Sequence, residues 1–209
     1  MKQPSVYSRS GIVDAAYELI RERGWSSVST RSIAKKLGSS TMPIYSHVNS
    51  AGDLERELQG RAHRALLEYQ NRAYTEEPLL NAAFGYVAFA RDEPNVFRFL
   101  FAERQGAPAA SGSPSEILSQ MRETFVEQFG EESPAAVALT HMPAAAQEEL
   151  VRYTWVFTHG LATLVSSGTL GSISDDQILS YLQRAGFAFY LAATYGETPE
   201  NTNHRKGDL

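Results

Sequence analysis

The sequence predicts an all-α protein, and three features of it do so. Apolar residues recur at three- and four-residue spacing along most of the chain. Glycine, proline, serine and asparagine fall where those stretches begin and end. No segment shows the two-residue alternation of a half-buried strand, and no internal repeat is present.

The elements follow in order. Ile12, Ala15, Ala16, Leu19 and Ile20 share one helix face, with Ser8 or Ser10 placed to cap it and Gly24 to stop it. Trp25 is then expected to plug the small core beside this helix. A second helix runs over 30–37, capped by Ser29 or Thr30, with Ile33, Ala34 and Leu37 inward and Gly38 at its end. Ser39-Ser40 offers a cap to a third helix over 41–48, where Pro43 is tolerated because it lies in the first turn. Asn49-Ser50 caps a fourth over 52–74, with Leu54, Leu58, Ala62, Ala65, Leu66 and Tyr69 as its apolar stripe.

Beyond Pro78 the composition turns apolar and aromatic. A helix over 79–90 is ended by Asp92-Glu93-Pro94-Asn95, and a short one over 95–103 carries Phe97, Phe99 and Phe101. The Gly-, Ala-, Pro- and Ser-rich stretch 105–114 reads as a loop. Helices are expected over 114–129, 133–140, 144–167 and 174–195, then a polar tail.

At 209 residues with 43% hydrophobic side chains, the chain can bury a sizeable core. It contains no cysteine, so disulfides and thiolate metal sites are excluded, which suits a reducing cytoplasm. No stretch approaches the roughly 18 apolar residues of a membrane span, and the first residues lack a secretory signal. The net charge of −5 is unevenly spread: residues 1–64 carry +4 and the remainder −9. That asymmetry suits a polyanion-facing segment on a solvated body.

Two short helices joined by a glycine turn satisfy the pattern of a helix-turn-helix from about Ser29 to Val48. Ile33, Ala34, Leu37, Ile44 and Val48 supply its packing face, with Ala34 at the closest approach. Thr41, Met42, Pro43, Tyr45, Ser46 and His47 are left outward, where a recognition helix meets base edges.

The blocks Ser10-Gly-Ile-Val-Asp-Ala-Ala to Gly24-Trp25, Thr30-Arg31-Ser-Ile-Ala-Lys-Lys-Leu-Gly38 and Pro43-Ile-Tyr45-Ser-His47-Val, ending at Leu54, resemble the N-terminal domain of the TetR family of transcriptional regulators. The resemblance implies a three-helix DNA-binding domain over 1–51, a helical ligand-binding and dimerisation domain over 52–200, and a tail over 201–209. By position it implies that Thr30 and Arg31 hold phosphate and that Thr41, Met42 and Pro43 lie at base edges, with Ser40 counted among the DNA-binding residues. Tyr45, Ser46 and His47 then belong to the same surface, Tyr45 and His47 clamping the DNA backbone. Two positions depart from the family pattern: Ala51 stands where many members have a lysine, and Ser39 where a small apolar residue is usual. Lys2, Arg9, Lys35 and Lys36 are the cations available to compensate.

The stretch Trp155-Val-Phe-Thr-His159-Gly160 resembles the Trp…His-Gly signature of one subgroup of C-terminal domains in that family. It implies a cavity for a small hydrophobic effector, for which Tyr86, Phe89, Phe97, Phe101, Met121, Phe125, Trp155 and His159 are the candidates. The same residues at helical spacing are equally what a plain core requires. Gly160 and Gly186 inside helical patterns mark expected close helix pairings, and the last two long helices are the expected homodimer face. The implied function is a palindromic-operator repressor released when effector changes the angle of the fourth helix.

Two other classes compete. An enzyme finds no support, because the five histidines lack metal-ligand spacing and no nucleophile elbow or phosphate loop is present. No cofactor or metal is expected. A helical partner-binding protein that no longer reads DNA is the remaining alternative, motivated by Ala51.

Overall fold

The computed structural model describes residues 8–48, 50–101 and 142–195, with the side chains of Pro43 and Tyr45 excepted. Among them the chain is helical and contains no strand. The expected loop at 105–114, the helices at 114–129 and 133–140, and the polar tail lie outside the described residues.

Helix α1 (Arg9–Arg23) starts where Ser8 accepts the amide of Gly11, and it buries Ile12, Ala16 and Ile20 completely. A single 3₁₀ turn (Trp25–Ser27) leads to α2 (Thr30–Leu37). Ser29 and Ser32 cap α2 reciprocally: the Ser32 amide donates to Ser29 Oγ at 3.1 Å and the Ser29 amide to Ser32 Oγ at 2.8 Å. Gly38 closes α2 in the left-handed region at φ 64°, a conformation that costs a residue with a Cβ roughly 1 kcal/mol or more.

Helix α3 (Met42–His47) is shorter than the 41–48 expected. The serines do not cap it: Thr41 occupies the cap position with no side-chain bond, and Ser39 Oγ donates to the carbonyl of Ser40. Ser50 does cap α4 (Ala51–Gln70), accepting the amide of Asp53 at 3.0 Å. Leu54, Leu58, Ala62 and Leu66 form its buried stripe at four-residue spacing.

Helix α4 ends four residues before Tyr74, and the reason is the buried side chain of Asn81. Its Oδ1 accepts the amides of Tyr74 and Thr75 at 3.1 and 2.7 Å, and its Nδ2 donates to the Thr75 carbonyl. These bonds draw the chain out of the helix and into the turn that opens α5 (Pro78–Asp92). Every residue from Phe84 to Ala90 is buried, so α5 is apolar all round and forms the axle of the molecule. It packs against α4, against α6 (Pro94–Phe101), and against the two long helices α7 (Ala144–Ser166) and α8 (Asp175–Tyr195).

The closest helix approach falls at Gly85, a position the sequence pattern did not single out. A Cβ there would collide with the carbonyl of Tyr69 and lie 2.7 Å from Gln70 Cα, so only glycine lets α5 cross α4 at this distance. Gly160 and Gly186, where close pairings were expected, meet nothing within 4 Å in this chain. Trp25 also departs from expectation. Its ring lies 5.0 Å from Phe99 of α6, so it joins α1 to the C-terminal body rather than filling a separate small core.

Gly85→Ala forces two helix backbones apart and is expected to lower stability by about 2 kcal/mol or more. Gly52→Ala, whose added Cβ meets only Ser50 Oγ at 3.9 Å, is expected to change it by under about 0.5 kcal/mol. Urea unfolding midpoints of the two variants check both values.

Candidate functional site

Two separate sites emerge, one at the outer end of the N-terminal helices and one where α5, α6 and α7 meet. At the first, Ile33 and Ala34 of α2 and Ile44 of α3 are buried against α1, and Val48 is half-buried beside them. This fixes which face of α3 points away from the body. Met42 is 75% exposed while Ile44, two residues on, is 3% exposed. Ser40, Thr41, Ser46 and His47 are exposed around the same short helix. Ser46 Oγ lies 3.0 Å from His47 Nδ1, which orients the imidazole. Pro43 and Tyr45 belong to α3 by their backbone.

Arg31 is exposed and Thr30 half-buried at the start of α2. Because Ser29 takes the amide of Ser32, the amides of Thr30 and Arg31 remain the unsatisfied donors of that first turn. Of the compensating cations, Arg9 is turned inward: its Nε donates to Glu57 at 2.9 Å and its Nη1 to the His47 carbonyl at 3.3 Å. It thus ties α1 to the end of α3 and to α4. Lys36 pairs with Glu22 at 2.6 Å, Lys35 is exposed, and Lys2 lies outside the described residues. Ala51 is exposed at the start of α4.

The second site is a cluster of rings. Tyr86 of α5 and His159 of α7 are joined by a hydrogen bond of 2.9 Å between the phenol oxygen and Nδ1. Phe97 stands edge-on to Tyr86 at 5.7 Å, and Phe101 lies 5.7 Å from Tyr86 and 5.4 Å from His159. Trp155, one turn before His159 on α7, stacks on the imidazole at 5.3 Å with the planes 11° apart. Burial pushes the Tyr86 phenol well above its ordinary pKa and the His159 imidazole below its own, so both are held neutral near pH 7.

Five of the eight expected effector residues therefore meet: Tyr86, Phe97, Phe101, Trp155 and His159. Phe89 does not join them. It is fully buried and turns its ring to Tyr69 of α4 at 5.5 Å, which makes it part of the α4–α5 seam. Met121 and Phe125 lie outside the described residues. Among the described residues no group of three or more His, Asp or Glu side chains is placed to hold a metal ion, and no helix is long and apolar enough to cross a membrane.

A third surface lies on the last two long helices, the face expected to pair two copies of the chain. Tyr153, Val156, Gly160 and Leu164 on α7 and Phe187, Leu191 and Tyr195 on α8 are exposed, Phe187 at 65% and Tyr195 at 79%. An apolar face of this extent on two adjacent long helices is what an association surface requires.

A long-range contact that sequence reasoning missed joins Arg21, Glu93 and Asn95. Arg21 and Glu93 form a two-bond ion pair, 2.9 Å from Nε and 2.5 Å from Nη2, and Asn95 Nδ2 donates to the Arg21 carbonyl at 2.7 Å. The partners lie 72 and 74 positions apart, and no local pattern links charges at that separation.

Comparison with known proteins followed the same division. Residues 12–50 match the family described as bacterial regulatory proteins, tetR family, and residues 79–184 match the tetracyclin repressor-like C-terminal domain. The chain is 22% identical over 184 residues to the uncharacterized HTH-type transcriptional regulator Rv0681 of Mycobacterium tuberculosis (strain ATCC 25618 / H37Rv), covering 85% of this chain and 79% of that protein. It is 30% identical over 90 residues to the uncharacterized HTH-type transcriptional regulator YobS of Bacillus subtilis (strain 168), covering 41% and 47%. A crystal structure of a TetR-like transcriptional regulator from Rhodococcus sp. RHA1 superposes with a TM-score of 0.59 at 16% identity, over 94% of this chain and 100% of that one. At that identity the likeness is one of fold.

The half-buried, neutral His159 makes stability depend on pH. Its folded pKa is lowered, so below about pH 6.5 the unfolded chain takes up the proton first. Stability is expected to fall as pH drops through that range and to level off below the depressed folded value. Urea unfolding between pH 5 and about 8 should show this slope, and His159→Gln should flatten it.

Proposed function

The chain belongs to the tetR family of bacterial regulatory proteins and is a DNA-binding transcriptional regulator of that type, and from this premise we propose that it acts as a homodimeric repressor of a palindromic operator, released by a small hydrophobic effector. The observation that carries the reading is α3: Ile44 is buried on one side while Thr41, Met42, Ser46 and His47 stand exposed on the other. A helix held so by its inner face presents its outer face to a major groove.

In this reading Arg31 and the amides of Thr30 and Arg31 hold phosphate, and Ser40, Thr41, Met42 and Pro43 meet base edges. Met42 offers apolar contact to a thymine methyl. Tyr45, Ser46 and His47 flank them along the DNA backbone. The thirteen-charge contrast between the +4 of residues 1–64 and the −9 of the rest directs the N-terminal end to the polyanion. Ala51 contributes no cation, which lowers the salt dependence by about one phosphate contact. The DNA-binding part takes residues 1–51 and the effector and dimer part 52–200.

The dimer forms through the exposed faces of α7 and α8, with Gly160 allowing close approach of the second copy. It spaces two α3 helices about one DNA turn apart, roughly 34–36 Å. The effector enters at the ring cluster, where Tyr86 and His159 are the polar pair among apolar walls, and it favours the conformation that cannot span both half-sites. Such a protein works in the cytoplasm. Family membership points away from enzymatic activity, and no step of chemistry is required of any residue here.

Val156→Glu on α7 is expected to convert the dimer to a folded monomer, seen by analytical ultracentrifugation beside an unchanged circular dichroism spectrum; a wild-type chain that sediments as a monomer at micromolar concentration refutes the dimer. Arg31→Ala is expected to weaken binding to all duplexes alike and to reduce the salt slope by about one. Met42→Ala should instead change which duplexes are selected from a random pool. Mobility shifts at several salt concentrations distinguish the two behaviours, and absence of any specific band at low salt overturns the operator reading.

A further inference from the structure

Helix α6 is eight residues long and has two working faces. Phe97 and Phe101, four residues apart, share one face and pack against Tyr86 and His159. Asn95 and Phe99, also four apart, lie about 200° around the helix from that pair, given 3.6 residues per turn. They reach α1: Asn95 Nδ2 holds the carbonyl of Arg21, and Phe99 stacks on Trp25 just beyond the end of α1. Glu93 sits at the junction of α5 and α6, where its amide ends one helix and its carbonyl accepts the first bond of the next, from Phe97 at 2.9 Å. From there its carboxylate accepts from Nε and Nη2 of the Arg21 guanidinium.

One short helix is thus in direct contact with the ring cluster on one side and with the DNA-binding part on the other. The far end of the fourth helix, by contrast, is held to the axle by the backbone contact at Gly85 and by the ring of Tyr69 against Phe89. The links between α6 and α1 are side-chain bonds and a ring pair, which can rearrange without unfolding a helix. Helix α1 in turn carries the recognition unit, through its own buried face against α2 and α3 and through Arg9 on the His47 carbonyl.

We propose that α6 is a two-faced lever that carries the state of the aromatic cluster to the helix-turn-helix through α1, with Arg21 and Glu93 as its positioning pair. The proposal rests on the reading of the cluster as effector site and of α3 as the DNA reader, and it assigns the coupling between them to named residues. Rotation or tilt of α6, set by what occupies the space around Tyr86 and His159, moves Glu93, Asn95 and Phe99 together. Arg21 and Trp25 follow, and α1 turns with them. Arg21 acts through α1 and touches neither ligand nor DNA.

The two tryptophans of the chain make the test direct, because one lies at each end of the lever. In a Trp155→Phe background the remaining indole, Trp25, reports on the α1–α6 contact alone. Tyr86→Phe in that full-length chain removes one hydroxyl and its bond to His159 while keeping the ring. It is expected to shift the Trp25 emission maximum and to change affinity by about fivefold or more for a duplex selected in vitro by the wild-type chain. Adding Arg21→Ala, a change at an exposed position, should reduce both effects of Tyr86→Phe to under about twofold, and Arg21→Lys should restore part of them. A structural role alone would lower affinity without removing the dependence on Tyr86. The proposal is overturned if Tyr86→Phe acts equally with and without Arg21, or if it moves neither readout. If the wild-type chain selects no duplex, the DNA-reading conclusion fails by itself. The Trp25 emission then still decides the lever: a shift abolished by Arg21→Ala supports it, and no shift overturns it.

Discussion

The contact between α4 and α5 at Gly85 is the constraint from which the rest of the molecule is built. Helix α5 is buried on all sides from Phe84 to Ala90, and a helix of that kind needs neighbours on every face. The α4 backbone covers one face at the distance only glycine allows, with Phe89 against Tyr69 sealing the seam. Helices α7 and α8 cover others, and α6 folds back across the end of the same helix. Fully burying a side chain such as Phe84 or Val87 contributes about 1.5–3 kcal/mol, so this axle holds a large share of the core. Asn81 closes the turn between α4 and α5 with both its Oδ1 and its Nδ2 bonded, and those bonds offset the desolvation of a polar side chain inside.

Around that axle the molecule divides its labour by burial and charge. The N-terminal helices are held by a small apolar seam, and their outward residues are left polar and exposed. Several of their cations are spent on internal ties rather than on the surface: Arg9 on Glu57, Arg61 on Asp14, Lys36 on Glu22 and Arg21 on Glu93. Arg61 also lies over the ring of Tyr17, its guanidinium 4.5 Å from the centroid, and so knits α1 to α4. Partly exposed pairs of this sort add little stability individually. What they fix is orientation, because each joins α1 or α2 to a different element. Three of these pairs join charges that both lie within the first 64 residues and leave their positive balance unchanged, only Arg21 being answered by an anion from beyond them, and Arg31 and Lys35 remain among the exposed cations near α3.

Local signals in the chain were sufficient for the existence of the described helices, for the glycine turn and for the exposed face of α3. Ser8, Ser29 and Ser50 cap as their types and positions indicate, and Gly38 takes the left-handed conformation its place demands. The outward set on α3 follows from Ile44 and Val48 being the inward one. The ring cluster was partly legible, since Tyr86, Phe97, Phe101, Trp155 and His159 were all nameable as apolar-site candidates. Phe89 was nameable for the same reason and is placed elsewhere, because aromatic type and helical spacing do not say which neighbour a face meets. Ser39 and Ser40 failed as caps because α3 starts at Met42, which puts Thr41 and not either serine at the cap position.

What the sequence determined by itself is much of what residues within a turn or two of one another govern: the capped starts of α1, α2 and α4, the glycine turn and the inward or outward sense of the N-terminal faces, though not the cap of α3 or the end of α4. The tertiary structure decided what depends on elements meeting across some seventy positions. It chose Gly85 rather than Gly160 or Gly186 as the intrachain crossing, set Trp25 on Phe99, and joined Arg21 to Glu93. The physical reason is that periodicity records which side of a helix avoids water, whereas the identity of the partner is settled only when all the apolar faces compete for one core.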